Sequence, residues 1–327
     1  MTAVIWTDVV QMVLYVAGAI LSAVLILEHI PGGWSQIIET AETAGKLQIF
    51  DFYFEPTADF FSQTYTFWAG LLGGCFLATA THGTDQLIVQ RLLSARTERD
   101  SKLALLASWA VIFVQFSLFL VIGIMLWVFY QNTGLLAPEP RDRLYPFFIW
   151  HHLPPIASGI AVASVLAAAM STLSASLNSL ASATVMDFYL PWKGKTSGSS
   201  GDHQLKISRW ATFFWGLVLL GIATLARQWG SVLEAGLAIA SIPLGALLGV
   251  FALGVLTERV SENAAIAGMT AGFVVIIFVR YGTSVAWTWY AVIGATVTFG
   301  FALLCSAIFT RMTKSNHSDL DERVNLQ

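Results

Sequence analysis

Charge is the first thing this chain has little of. Lysine, arginine, aspartate and glutamate together make up 11% of its 327 residues, where soluble domains carry about 25%. A mean hydropathy of +0.69 points the same way, so a water-soluble globular protein is excluded. Cysteine is nearly absent: Cys75 and Cys305 both sit inside apolar runs, which argues against a disulfide framework and for small packing residues. The short alternating segments of a membrane β-barrel are missing. There is no HExxH, no paired CxxC and no GxSxG, and no nucleotide-binding loop or kinase module. An enzyme is therefore not expected, and neither is a nucleic-acid partner. No signal peptide is evident, because Met1 leads within a few residues into a spanning segment that carries Asp8 and Gln11.

Apolar runs of spanning length dominate what is present. About eight spans are expected, at roughly 6–27, 66–90, 104–130, 156–190, 207–226, 232–256, 262–281 and 285–310. Basic residues orient them. Arg91, Arg96, Arg99, Lys102, Lys193, Lys195, Lys206, Arg209, Arg259, Arg311, Lys314 and Arg323 fall on one side; Lys46, Arg141, Arg143, Arg227 and Arg280 fall on the other. The richer side reads as cytoplasmic and holds both termini. The stretch from about 28 to 65 is acidic and faces outside. Short helices are expected there, since Trp34, Phe52, Phe54, Phe60 and Phe61 would otherwise be stranded in water. TSGSSGDH (196–203) reads as a flexible cytoplasmic linker, and the polar tail 312–327 as disordered and cytoplasmic.

Polar groups at bilayer depth are costly, so each needs a reason. Between Ser164 and Thr184 one long helix carries eight hydroxyls and Asn178. At 3.6 residues per turn, Ser164, Ala168, Ser171, Ala175, Asn178 and Ser182 share one face, and Leu166, Met170, Leu173, Leu177 and Leu180 another. Single serines of this kind bond back to their own backbone or permit close helix packing. A cluster this dense has a second reading, because neutral oxygens on adjacent turns suit a dehydrated monovalent cation better than a calcium ion. Asp8 is either a helix cap or an ion ligand, and the roles are compatible. In ATATHGTDQLIVQR (78–91), Thr79, Thr81, His82, Asp85 and Gln86 interrupt an apolar span bordered by Gly73, Gly74 and Gly83. That pattern points to a broken helix lining a cavity. His82 alone is more often a satisfied core histidine, and Asp85 is expected to pair with Arg91. His151 and His152, before Pro154 and Pro155, belong to the membrane surface.

Four stretches then carry a resemblance: AVIWTDVVQ (3–11), GTDQLIVQRLLSA (83–95), AAAMSTLSASLNSLAS (167–182) and GALLGVFALGVLTERVSENAAIAGMTAG (245–272). In this order, over nearly the whole chain, they resemble the sodium:solute symporter family. The resemblance implies an all-α integral membrane protein with a leucine-transporter-like inverted-repeat fold. The serine helix then looks like the eighth core helix, whose sodium ligands match the Ala168 carbonyl and the Ser171 and Thr172 hydroxyls. A second sodium, present in the sialic acid members, would match Asp8, Ser171 and Ser174, but Ala175 brings no hydroxyl where those members have one. Thr81 and His82 stand where sugar-transporting members carry an aromatic pair, which argues against a stacked sugar while placing both residues at the solute cavity.

By the same resemblance Asp8 belongs to the fifth core helix. The chain then reads as a C-terminal fragment whose fold is incomplete, with residues 1–311 as the transmembrane domain and the missing N-terminal helices needed to complete the sodium site. The expected activity is sodium-coupled symport of a small organic solute across the cytoplasmic membrane by alternating access, with Na+ as coupling ion and lipid and solute as partners. The alternatives are an inactive truncated fragment, a sensor or regulatory subunit derived from the same family, and an unrelated channel-like bundle.

Overall fold

The computed structural model describes residues 2–55, 57–193, 201–226, 231–257 and 260–324, without the side chains of 2–5, 86, 87, 90, 91, 201, 202 and 309–324. In chain order the α-helices are α1 (Thr2–His29), α2 (Gly33–Thr43), α3 (Ala58–Ser62), α4 (Gly74–Thr84), α5 (Gln86–Leu93), α6 (Glu98–Thr133) and α7 (Leu144–His152). They continue as α8 (Pro155–Ala183), α9 (Leu190–Lys193), α10 (Gly201–Ala226), α11 (Val232–Leu256), α12 (Glu262–Gly282) and α13 (Tyr290–Val324). No strand occurs among the described residues. Seven helical stretches of these residues are long and apolar enough to cross a membrane.

The second expected span, 66–90, is not among the seven and is divided. A π-helical turn at Ala69–Gly73 leads into α4, and Asp85 then adopts an extended conformation (φ −73°, ψ 114°) before α5 begins. The interruption expected from the glycines thus falls at Asp85. The polar tail also departs from expectation, because α13 continues to Val324. After Gly300 the chain has neither glycine nor proline to stop a helix, and most of its polar residues are tolerated in one. Lys195, Arg227, Arg259 and residues 196–200 of the linker lie outside the described residues, as do the side chains of Arg91, Arg311, Lys314 and Arg323.

Two compact units emerge, residues 1–47 with 110–232 and residues 48–109 with 233–327. In the first, α1 and α8 run antiparallel. Ser171 meets Asp8 at one end, a Cβ placed on Gly18 would sit 3.4 Å from that of Ala161, and the rings of His29 and His152 lie 6.4 Å apart at the other end. Proline starts α8, with Pro155 in the first turn where its missing N–H costs nothing. The leucine side of α8 is turned outward, with Leu166 58% and Met170 70% exposed, while Ser164 is buried. In a membrane helix lipid takes the apolar face and small residues take the interior. Around the His29 end, Phe129, Phe148, Ile122 and Ile149 form the apolar core with α6 and α7.

Small residues also hold the second unit together. Gly268 lies against Ala302, Gly272 against Thr298, and Gly294 against Ile276, which makes α12 and α13 antiparallel. Gly245 meets Ala291 and Gly249 meets Ala295, so α11 runs parallel to α13. Three helices in alternating directions match the expected succession of spans. Glycine at these positions lets backbones approach closely enough for van der Waals packing to replace the hydrophobic effect.

Candidate functional site

The site is built where α1 crosses the middle of α8. The Ser171 hydroxyl donates to Asp8 Oδ1 at 2.8 Å, across a gap of 163 residues in sequence. One residue further along α8, the Thr172 hydroxyl donates to the Ala168 carbonyl at 3.1 Å. Of these oxygens only the Ser171 hydroxyl meets the carboxylate of α1; Thr172 and Ala168 bond to each other within α8. Asp8 and Ser171 are half-buried. A carboxylate at membrane depth needs donors to remain charged, and Ser171 is one. Asp8 is not a helix cap, because α1 already begins at Thr2.

Ser174 is exposed one turn beyond Ser171, and Asn178 and Ser182 are exposed further on. The hydroxyl face thus divides in two: Ser164 is buried and bonds back to the Ala161 carbonyl at 2.8 Å, whereas the C-terminal end is open. Beyond Ala183 the helix relaxes into a π-helical segment, Thr184–Tyr189. Its first residue receives the Trp215 indole N–H of α10 on Oγ1 at 2.9 Å while the Thr184 hydroxyl itself donates to Leu180. This α8–α10 tie was not legible in the sequence, since nothing in the spacing of Trp215 distinguishes it from the lipid-facing tryptophans.

Thr81 and His82 belong to the second unit. The Thr81 hydroxyl donates to the Leu77 carbonyl at 2.9 Å and His82 Nδ1–H to the Ala78 carbonyl at 3.0 Å. Both are half-buried and turned back on α4, the ordinary way a membrane helix satisfies its polar side chains. Asp85 ends α4; its expected partner Arg91 has its side chain outside the described residues. Along α1 from Asp8, a cleft of about 550 Å³ opens between Met12, Val13 and Val16 and, on α6, Val111, Val114 and Gln115. Its walls are apolar apart from Gln115, whose Oε1 accepts from Tyr15, so it does not offer the convergent polar groups of a solute site. No cluster of three metal-ligating His, Cys, Asp or Glu residues is found among the described residues.

Asp8 on one helix thus meets one hydroxyl, that of Ser171, on its antiparallel neighbour. The profile of the sodium:solute symporter family matches residues 1–272. This chain belongs to the sodium:solute symporter family. Among its relatives are the sodium-dependent multivitamin transporter of Oryctolagus cuniculus, 30% identical over 288 residues, and the human sodium-coupled monocarboxylate transporter 1, 31% identical over 289. Each alignment covers 86% of this chain but 44% and 46% of the relative. The human sodium/iodide cotransporter is 29% identical over 293 residues, covering 87% of this chain and 44% of its own length. The chain thus spans about half the length of these relatives. A solved structure of a Na+-coupled sialic acid symporter, substrate-bound and outward-open, superposes with a TM-score of 0.72 at 25% identity, covering 93% of this chain and 62% of that one. The fold is the leucine-transporter-like one, and the protein is a multi-pass membrane protein of a transporter family.

Proposed function

We propose that this sodium:solute symporter family chain takes part in sodium-coupled uptake of a small organic solute across the cytoplasmic membrane, by alternating access and with both termini inside. Residues 1–311 act as the transmembrane domain and 312–327 as a cytoplasmic tail. The observation that carries the reading is the seam where Ser171 of α8 meets Asp8 of α1, with the Thr172 hydroxyl and the Ala168 carbonyl bonded to each other on the adjacent turn of α8. In the absence of an ion these oxygens satisfy one another. Sodium arriving from outside takes the Ala168 carbonyl and the Ser171 and Thr172 hydroxyls, so binding exchanges internal hydrogen bonds for ion–oxygen contacts. Asp8 stays close by and supplies the negative charge.

Neutral ligands suit a coupling ion, which must be released at the end of each cycle. The seam carries one sodium: Asp8 and Ser174 are the positions a second would use, yet Ala175 lacks a hydroxyl. We infer from the family resemblance that the remaining sodium ligands lie on the family's first core helix. One sodium crossing a membrane potential gains about 2.3 kcal/mol per 100 mV, and a tenfold concentration ratio adds about 1.4 kcal/mol. Together these sustain a solute gradient of several hundredfold by order of magnitude. Thr81 and His82, beside the break at Asp85, line the solute cavity, where re-aimed side chains exchange their own helix carbonyls for solute.

The test is uptake into vesicles that carry the protein expressed from its full reading frame, in sodium against potassium. Monocarboxylates, vitamins and iodide lead the screen because the relatives are named for them, followed by sugars and amino acids. Uptake that needs sodium and loses that need in Ser171→Ala and Thr172→Ala is the expected result. Uptake with undiminished sodium dependence in both variants removes the assignment.

A further inference from the structure

The aromatic residues of the acidic stretch are the feature that the transport reading leaves unused. Short helices do form there, as the sequence suggests, but they cover only Phe60; Trp34, Phe52, Phe54 and Phe61 stay exposed. Residues 48–55, which open the second unit, are not helical. Phe50, Phe52 and Phe54 alternate in sequence with Asp51, Tyr53 and Glu55, and the Tyr53 N–H turns back to Asp51 Oδ1 at 2.9 Å. The phenyl set makes one continuous ridge. Phe50 stacks on Phe52 with centroids 5.8 Å apart, Phe52 lies 4.9 Å from Phe67, and Phe54 lies 5.3 Å from Phe60. Its outer side is open: Ile49 is 83%, Phe50 57%, Phe52 61% and Phe54 64% exposed.

The ridge is tied to the mouth of a membrane span. The Phe67 N–H donates to the Asp51 carbonyl at 2.7 Å, and the Ala286 N–H donates to the Phe61 carbonyl at 2.8 Å. Phe60 and Phe61 pack on Trp289, which lies in the first turn of the span Trp287–Ile308. From Phe67 the chain runs directly into Leu71 and Leu72, also apolar and exposed. The ridge is therefore continuous with the surface that lipid must cover. Around its base the indole N–H groups of Trp68, Trp287 and Trp289 and the hydroxyl of Thr288 are buried without a partner.

We propose that the ridge of Ile49, Phe50, Phe52 and Phe54 inserts into the headgroup layer of the bilayer and anchors the second unit to the membrane surface. Depth is limited by the backbone: a non-helical segment exposed to hydrocarbon would leave peptide groups unsatisfied, whereas headgroups and their water satisfy them. Charge selects the lipid. Asp51, Glu55 and Asp59 flank the ridge, so zwitterionic headgroups are accepted and anionic ones repelled.

The experiment uses the full chain with Cys75 and Cys305 replaced by serine, reconstituted in phosphatidylcholine vesicles. Nitroxide labels are placed singly at Phe50→Cys, Phe52→Cys, Tyr53→Cys and Glu55→Cys, and collision with oxygen is compared with collision with a water-soluble nickel chelate. Labels at 50 and 52 are expected to favour oxygen and to relax strongly against nickel-chelating headgroups; labels at 53 and 55 are expected to favour the aqueous chelate. The reversal between neighbouring positions is the diagnostic result, and either label of each pair suffices if its companion misfolds. Labels at 50 and 52 that favour the chelate overturn the proposal, because the ridge is then in water. Labels closed to both reagents overturn it as well, because protein then covers the ridge.

Discussion

Replacing Gly268 by alanine tests the packing that holds α11, α12 and α13 together. A methyl group there would sit 2.6 Å from both the Thr298 carbonyl oxygen and the Ala302 Cβ, well short of ordinary van der Waals contact at 3.4 Å. Neither neighbour is the flexible end of a side chain, so α12 and α13 must separate. Overpacking of this kind costs about 1–3 kcal/mol, against which alanine gains about 0.8–1.0 kcal/mol in helix propensity. The net is a loss of roughly 1 kcal/mol. Gly300 on α13 is the matched control, because a methyl there meets nothing within 4 Å, and Gly300→Ala keeps the propensity gain of about 1 kcal/mol. At about 2–4 °C per kcal/mol, the two variants melt roughly 4–8 °C apart in opposite directions from the parent. Thermal unfolding of detergent-solubilised protein, followed by the surviving monodisperse fraction, reads the difference. Adding Ala302→Gly to Gly268→Ala removes one of the two clashes and restores part of the loss. A Gly268→Ala protein at least as stable as Gly300→Ala would refute the close approach of the two helices.

Two further outcomes follow from the structure. Burial, with the charges of His29 and then His151 adding to it, holds His152 below its ordinary range. Its neutral form is thus favoured when folded, and stability is present above the unfolded value near 6.5 and falls as pH drops through the lower folded value. Melting curves from pH 7 to pH 5 should show this loss, and His152→Phe, which keeps the stack on Phe148, should flatten it; an unchanged slope counts against the histidine cluster. Although the residue is 68% exposed, Tyr65 is pushed up to about 12 by the loss of water around its hydroxyl and by its hydrogen bond to Glu234. Its contribution is complete below pH 10 and disappears between about 10 and 12. In Tyr65→Phe, the fall in stability across that window should shrink, and an identical fall in both proteins would count against the tie between Tyr65 and α11.

What could be read from the residues was whatever depends on local periodicity. The split of α8 into a leucine side and a hydroxyl side appears in the structure as an outward and a buried face, at least as far as Ser171. Seven helices of spanning character fall where the apolar runs are. Pairings between distant helices were not legible. That Ser171 rather than Ser174 meets Asp8 depends on the antiparallel register of α1 and α8, set by contacts such as Gly18 against Ala161. The break at 66–90 was anticipated from its glycines, yet it falls at Asp85, whose extended conformation ends α4. Trp215 and Thr184 show the same limit, since a tryptophan in an apolar helix carries no local mark of its partner. Phe52 and Phe54 show the reverse: the sequence suggests that helices would cover them, and their exposure is informative because those helices form without doing so.

The proposed sodium site rests on the oxygens of Ala168, Ser171 and Thr172. Its most direct test is the thermal stability of the protein, expressed from its full reading frame, in rising sodium chloride against potassium chloride of equal ionic strength. An ion that binds only the folded state stabilises it in proportion to the logarithm of its concentration, by about 2.7 kcal/mol at a hundredfold excess over Kd. The melting temperature is expected to climb with sodium and not with potassium, and to stop climbing in Ser171→Ala and in Thr172→Ala. Equal curves in the two salts, or a sodium response that survives both substitutions, would contradict it.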